Sequence, residues 1–386
     1  MLRSLYSGIS GLRSHQTMLD VTGNNIANVN TAGFKASAVQ FQDSLSQLVR
    51  NSTLPQQANG GSNPAQVGLG VQVAGINTNF AQGAAQSTGV PTDLMIAGDG
   101  FFMVRSGVEN RYTRNGGFSF DASARLVTAD GALVQGWTAQ NGVILPGQGV
   151  GDIMLPVGAT LPATATTAAT VTGNLPAETP VGDQLVRDIR VYDAQGGSAM
   201  LRLTFTRTGT GWDVADGAGA TDTLTFANGQ LTGGGSLVSG GITVDLSKVT
   251  GYADIDTAAF DSQNGEPAGT LLSYALSDDG SLVGTFSNGK TQVLARVALA
   301  TFVNPGGLEK TGSSQYVPSV NSGQPTIGTA GADGMGAIVS GSLEMSNVDL
   351  SQEFTNLIVA QRGFQANARI ITTSDEVLQE LTNLKR

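Results

Sequence analysis

Seven-residue periodicity at the two ends of the chain, and nowhere between them, constrains this fold more than any other feature of the sequence. Leu5, Leu12, Leu19 and Ile26 recur every seventh residue, with Leu2 and Ile9 three positions ahead of Leu5 and Leu12. Near the other end Leu350, Leu357, Phe364, Ile371 and Leu378 repeat the spacing, joined by Phe354, Ile358, Val377, Leu381 and Leu384. Such spacing forms a coiled-coil seam, because 3.5 residues per turn keeps one apolar stripe facing a partner helix. The second pattern predicts a helix over 347–384, with Ser346 or Asn347 as N-cap and Asp349 and Glu353 in the first turns, where negative charge suits the helix dipole. Both seams are diluted: Gln16, Gly23, Gln361 and Asp375 stand where a permanent dimer would place aliphatic residues. Helices of this kind either dock on their own domain or pair with each other and offer a second face to neighbouring subunits.

The middle of the chain reads differently. Residues 31–70 are small and polar, and Asn59-Gly60-Gly61-Ser62-Asn63-Pro64 has the chemistry of a loop or extended linker. From Val71 the period falls to two. Leu94-Met95-Ile96, the Gly98-Asp99-Gly100 turn and Phe101-Phe102-Met103-Val104 describe successive strands, with further turns at Asp130-Gly131, Asp279-Gly280 and Asn288-Gly289. Thr, Ala and Gly dominate from about 145 to 270, between the breaker-rich runs Pro146 to Pro156 and Gly265 to Gly269. The expected architecture is mainly β with paired α-helical termini, on a discontinuous, multi-domain chain. Residues 1–35 with 340–386 form a coiled-coil-like helical inner domain and 36–70 an extended linker. Residues 71–145 with 271–339 form an inner β domain, which an all-β outer domain, 146–270, interrupts.

Catalytic chemistry is poorly supplied. The chain has 386 residues, a net charge of −10, 53 Gly, one His and no Cys. The charge opposes a phosphate-binding surface, so no nucleic-acid partner is expected. Without Cys there are no disulfides, thiol nucleophiles or zinc-thiolate sites. No segment is apolar for the length of a membrane span, and the start lacks an apolar core with a cleavage site, so neither membrane insertion nor a cleaved signal peptide is expected. His15 lies off the heptad seam beside Arg13, Ser14 and Gln16 and reads as a solvated helix position. Asp254 and Asp256 read as turn or strand-edge carboxylates. Gly147, Gly149 and Gly151 fit no phosphate-binding loop. No enzyme activity, catalytic residue, cofactor or metal is expected.

The two ends also carry long motifs. Leu19-Asp20-Val21-Thr22-Gly23-Asn24-Asn25-Ile26-Ala27-Asn28-Val29-Asn30-Thr31-Ala32-Gly33-Phe34-Lys35 resembles the N-terminal signature of the flagellar rod and hook protein family. Ser346-Asn347-Val348-Asp349-Leu350, Glu353, Ile358, Gln361-Arg362, Phe364-Gln365-Ala366-Asn367, Arg369, Ile371, Thr373 and Asp375 resemble its C-terminal signature. Pro267-Ala268-Gly269-Thr270-Leu271, Gly284-Thr285-Phe286-Ser287-Asn288-Gly289 and Leu299 to Leu308 are similar to the hook branch, whereas Leu94 to Phe102 and Tyr112 to Phe118 are shared by hook and rod. Residues 150–262 carry no such likeness. Ala124 stands where the family often has a turn glycine.

The resemblance implies a structural subunit that self-assembles into the hook, a curved flexible tube transmitting motor torque to the filament, with a distal rod protein or a secreted adhesin or fibre as alternatives. It implies export without a cleaved signal through the flagellar type III apparatus to an extracellular site on the flagellum. Its partners would be further copies of the chain in a helical homopolymer, the distal rod protein, the hook-cap protein and the hook-filament junction protein. Assembly contacts are expected from Leu5, Leu12, Leu19, Ile26, Leu357, Gln361, Phe364, Ile371 and Leu378. Asn24, Asn25 and Asn28 add side-chain hydrogen bonds, either to neighbours or as local caps. Phe34 and Lys35 join them by motif, and Gly33 is expected to need a positive φ or a close approach.

Overall fold

The computed structural model describes residues 2–52, 61–145, 148–156, 158, 160–332 and 334–384. Asn59 and Gly60 of the linker motif, and Pro146 and Gly147 at the expected edge of the insert, lie outside the described residues. The chain divides into two compact units, Met1–Leu155 with Ala275–Val283 and Val293–Arg386, and Pro156–Tyr274 with Gly284–Gln292.

The first unit opens with α1, Leu2–Ala27, and closes with α2, Leu350–Asn383. The second helix begins where its heptads do, at Leu350, three residues later than the expected start at 347. Its N-cap is Asp349, in extended conformation, whose carboxylate accepts from the backbone N–H groups of Ser351 at 2.8 Å and Gln352 at 3.3 Å. Asn347, one of the expected caps, is used elsewhere: its Oδ1 accepts from the N–H of Ala36, and its Nδ2 donates to the carbonyls of Asn79 and Ala81. Ser346 accepts from Val348 N, ahead of the helix.

The described residues of 36–70, expected as a linker, are extended but hydrogen-bonded. Strand β1, Ser37–Asp43, is followed by β2, Ser46–Arg50, and β3, Ala65–Gly68, which pair as an antiparallel hairpin. β4, Val71–Thr78, then returns antiparallel to β1, from Ser37↔Thr78 to Asp43↔Val71 with one slip at Gln40/Phe41. Local composition conceals this because each strand's partner lies well along the chain, and alternation in β1 is confined to Val39 and Phe41 among polar residues.

Beyond β4 the sheet of the first unit is built on Phe101–Ser106. That strand pairs with Glu109–Thr113 across a turn at Gly107, with Leu133 and Val134, and with Leu299 and Ala300. Gln315–Val317 and then Glu309–Gly312 extend it. Phe101, Met103, Tyr112, Phe302 and Tyr316 form an aromatic core against which Phe80 packs, with edge-to-face rings such as Tyr112 on Phe302 at 4.9 Å. The strand Leu94–Ala97 belongs to a different pairing, with Ala337–Ser340. Gly98 (φ +117°) and Gly100 (φ +131°) take the chain from one to the other, through backbone angles that a side chain would oppose.

The second unit is all-β. Gln184–Tyr192, Ser198–Arg207, Gly211–Ala215, Thr221–Ala227 and Gln230–Gly233 run as an antiparallel meander. A four-stranded sheet has the order Ser236–Ser239, Ile242–Thr250, Ala168–Asn174 and Ala259–Gln263, with the middle two strands parallel. Alternate residues of both sheets, among them Val171, Leu203, Phe205, Trp212, Leu224, Val244 and Leu246, share one core. Asp216 is held below the usual carboxylate range by the Ser239 hydroxyl, which donates to it at 2.5 Å, and by nearby backbone N–H groups.

Gly131, Gly280 and Gly289 take positive φ at the three turns named from sequence. So does Ala124, at φ +57°, within a turn where Asp121 Oδ1 accepts from the N–H groups of Ser123 and Arg125. Left-handed backbone is strained for alanine. Replacing Ala124 by Gly is therefore expected to raise the stability of the first unit by about 0.5–1 kcal/mol, read as a higher midpoint in urea unfolding with an unchanged slope.

Candidate assembly interface

The two termini meet as an antiparallel helix pair. A side chain added at Gly8 would touch Ile371 and Asn367, and one added at Gly363 would stand 2.5 Å from the His15 imidazole. At Gly11 it would stand 2.7 Å from the Asn367 amide. Asn25 Nδ2 reaches Glu353 Oε1 at 3.2 Å. The helices thus approach at Gly8, Gly11, Ala360 and Gly363, small residues that let backbones come close.

Leu5, Leu12, Leu19 and Ile26, and Leu357, Phe364, Ile371 and Leu378, are all partly covered. Their companions are not the rows the heptads suggest. Gly8, His15 and Thr22 complete the covered stripe of α1, and Glu353, Ala360, Asn367 and Ser374 that of α2, whereas Ile9, Gln16, Gly23, Phe354, Gln361 and Asp375 are exposed. Gln16 and Gln361 therefore do not dilute a seam inside the chain. Small and polar residues won these positions because they permit the close approach, leaving the larger apolar side chains outside. Tyr6 and Ile9 on α1, and Phe354, Ile358, Val359, Ile370, Val377 and Leu381 on α2, are between 40% and 69% exposed. Large apolar side chains left exposed along both helices are surface available for contact.

His15 also departs from its solvated reading. It packs on Gly363, with its ring edge-on to Phe41 at 5.8 Å and Nδ1 buried. The spacing Gly8-Ile9-Ser10-Gly11, with Gly363 opposite, was the signal in the sequence for this face.

Where the helices meet the β body, both crossings of the chain are fixed by buried polar groups. Lys35 and Glu344 side chains are fully enclosed, with Lys35 Nζ 2.6 Å from Glu344 Oε1 and donating to the Ala81 carbonyl at 2.8 Å. Glu344 also accepts from Arg114 at 3.3 Å and from the N–H of Gly83 at 2.8 Å. Burial pushes the Lys35 ammonium below its ordinary pKa, and the Glu344 hydrogen bond opposes that shift. Arg114 lies 5.4 Å over the Phe101 ring. Gly33, at φ +68°, brings the chain against the Arg114 and Asn115 backbone with no room for a side chain, in line with its sequence reading.

The remaining expected residues separate. Asn25 is buried and bonds both backbone groups of Ser37, at 2.8 and 3.1 Å, fastening α1 to β1. Asn28 donates to Asn24 at the helix end and accepts from Thr31, a local cap, and Asn24 is exposed. Phe34 carries the Lys310 ammonium 5.2 Å over its ring. Lys35, expected at a contact between subunits, is consumed within its own chain. Nothing in the composition of 31–70 marks Glu344 and Arg114 as its partners, because they arrive from distant strands.

Two termini folded together, a β body carried between them, and apolar flanks left uncovered define a subunit built to pack among other chains. Comparison with known proteins specifies which. Residues 5–35 match the family model described as flagella basal body rod protein, 95–173 the flagellar hook protein FlgE/F/G D1 domain, and 339–384 the flagellar basal body rod FlgEFG protein C-terminal. Flagellar hook protein FlgE of Borreliella burgdorferi is 40% identical and that of Treponema pallidum 36%, each over the whole of both chains. Flagellar basal-body rod protein FlgG of Bacillus subtilis is 35% identical, again over both whole chains. The crystal structure of Helicobacter pylori flagellar hook protein FlgE2 matches with TM-score 0.50 and 14% identity, over 67% of this chain and all of that one, a likeness of fold. The chain belongs to the flagellar rod and hook protein family.

Two outcomes follow from this geometry. Gly363→Ala is expected to force the helices apart and cost about 1–3 kcal/mol, with most of the loss recovered when His15→Ala makes room, both read from thermal melts followed at a helical circular-dichroism band. Lys35→Met leaves Glu344 with half its compensation and is expected to cost about 3–5 kcal/mol. The change should be far smaller if Glu344 is replaced by Gln in the same chain, measured by chemical denaturation.

Proposed function

We propose that this chain is the structural subunit of the bacterial flagellar hook, self-assembling into the curved, flexible tube that couples motor rotation to the filament. The observation that carries this reading is the apolar surface left on the outside of an already closed helix pair, in a chain with hook proteins among its full-length relatives. A helix pair that satisfied itself would leave few large apolar side chains such as Phe354, Ile358 and Val359 outside its seam. Here they face outwards, where further copies of the chain can cover them.

The polymer must change length on each side once per turn as a bent tube rotates. Contacts between helices with mixed apolar and polar flanks allow small axial shifts, and exposed Gln16 and Gln361 interrupt those flanks. Export unfolded through the flagellar type III apparatus, and contact with the distal rod, hook-cap and hook-filament junction proteins, belong to this same reading. The whole-chain similarity to a Bacillus subtilis rod protein favours the distal rod as a second reading.

Immunogold labelling of detached flagella with antibodies raised to residues 156–274 separates the two. Gold is expected along the short curved segment between basal body and filament. Label confined to the straight rod beneath it would establish the rod subunit instead.

A further inference from the structure

We propose that the C-terminal end of α2 seats in the groove between α1 and β4 of a second copy of this chain, with Glu380 facing Arg13 across the contact. The inference rests on the polymer reading above and specifies one of its contacts.

The helices are unequal, 26 residues against 34. Gly11 faces Asn367, His15 faces Gly363 and Asn25 faces Glu353, pairs whose numbers each total about 378. The first described residue of α1 therefore stands level with residue 376, and α2 runs on for about two further turns with no partner helix beside it among the described residues. Val377, Leu381 and Leu384 share one face of this overhang, at 44%, 48% and 81% exposure. The described part of α1 does not reach them.

A matching surface lies further along the same helix pair. Tyr6, Ile9, Arg13, Val71 and Val73 line an open cleft of about 380 Å³ between α1 and β4, whose floor is set where the Ser10 hydroxyl accepts from the N–H of Val71 at 3.2 Å. Tyr6 is 69% exposed and Ile9 40%. From Tyr6 to Arg13 and from Val377 to Leu384 the helices each advance about 10 Å.

Charge selects the same pairing. Between Arg369 and the closing Lys385-Arg386 pair, residues 370–384 carry Asp375, Glu376 and Glu380 as their only charges, whereas the α1 side of this cleft carries Arg13. Neither Arg13 nor Glu380 takes part in an ion pair among the described residues. Opposite charges flanking apolar strips of equal length fix which surfaces meet and in which register. The contact cannot close within one chain: Ile9 stands level with about residue 369, some 18 Å along the helix from Leu381.

The absence of Cys provides a clean test. Chains carrying Ile9→Cys and chains carrying Leu381→Cys are mixed, polymerised, oxidised mildly and run on a non-reducing gel. A mixed disulfide dimer in the sedimented polymer, absent from the unassembled mixture, is the expected result. Polymer that yields no mixed dimer, or only dimers of the Leu381→Cys chain with itself, overturns the proposal.

Charge reversal gives a second measurement that needs no crosslink geometry. Arg13→Glu and Glu380→Arg are each expected to lower polymer yield about tenfold, and the chain carrying both to recover it. Single variants that sediment like the unmodified chain would overturn this contact and leave the polymer reading standing. An unmodified chain that never sediments would remove the polymer reading, and this contact with it.

Discussion

Everything in the first unit depends on how closely α1 and α2 can approach. Three glycines and an alanine at the contact set that distance, and a methyl group added at Gly363 would already strike the His15 ring. Closeness has a consequence for composition. A seam lined by small residues has no room for the long aliphatic side chains that the same helices carry, so those side chains are displaced to the flanks. Surface that would have stabilised one chain is then available to stabilise many, and the family's polymeric character follows from a steric choice made inside the monomer.

Such a choice leaves the helix pair weakly held by its own burial. Among the described residues of α2, only Ala360 is buried outright. Rigidity has to come from the junction, and the enclosed Lys35–Glu344–Arg114 group supplies it by tying the chain just after α1 to the strand just before α2. A buried ion pair adds little net stability over an apolar pair of the same shape. Its worth here is directional: Glu344 accepts from Lys35, Arg114 and Gly83 at once, so the exit and return of the chain are set in one geometry. Asn25 and Asn347 do the same work with amides, one bonding Ser37 and the other bridging Ala36, Asn79 and Ala81.

What the sequence makes legible follows the range of the interactions. Turn glycines were readable because φ is a local property, and Gly131, Gly280, Gly289 and Gly33 all take the angles their context requires. The leading heptad rows were readable because Leu5, Leu12 and Leu19 advertise themselves by size. Their companions Gly8, His15 and Thr22 were not, since a rule that scores hydrophobicity ranks them below Ile9 and Phe354 and so selects the wrong side of each helix. Hidden most deeply were contacts between distant segments: β1 with β4, Lys35 with Glu344, and the transfer of the capping role from Asn347 to Asp349 once Asn347 is needed by Ala36.

The same displacement explains why the surface of this protein is informative where its core is not. Aromatic packing around Phe101 and the two sheets around Trp212 would serve any β domain, and nothing in them refers to a partner. Phe354, Ile358, Val377 and Leu381 refer to nothing else, because folding alone gives them no place to go. An isolated chain holding that much apolar helix in water gains free energy by association roughly in proportion to the area it covers. Glutamines and charges interspersed along the same flanks cap that gain.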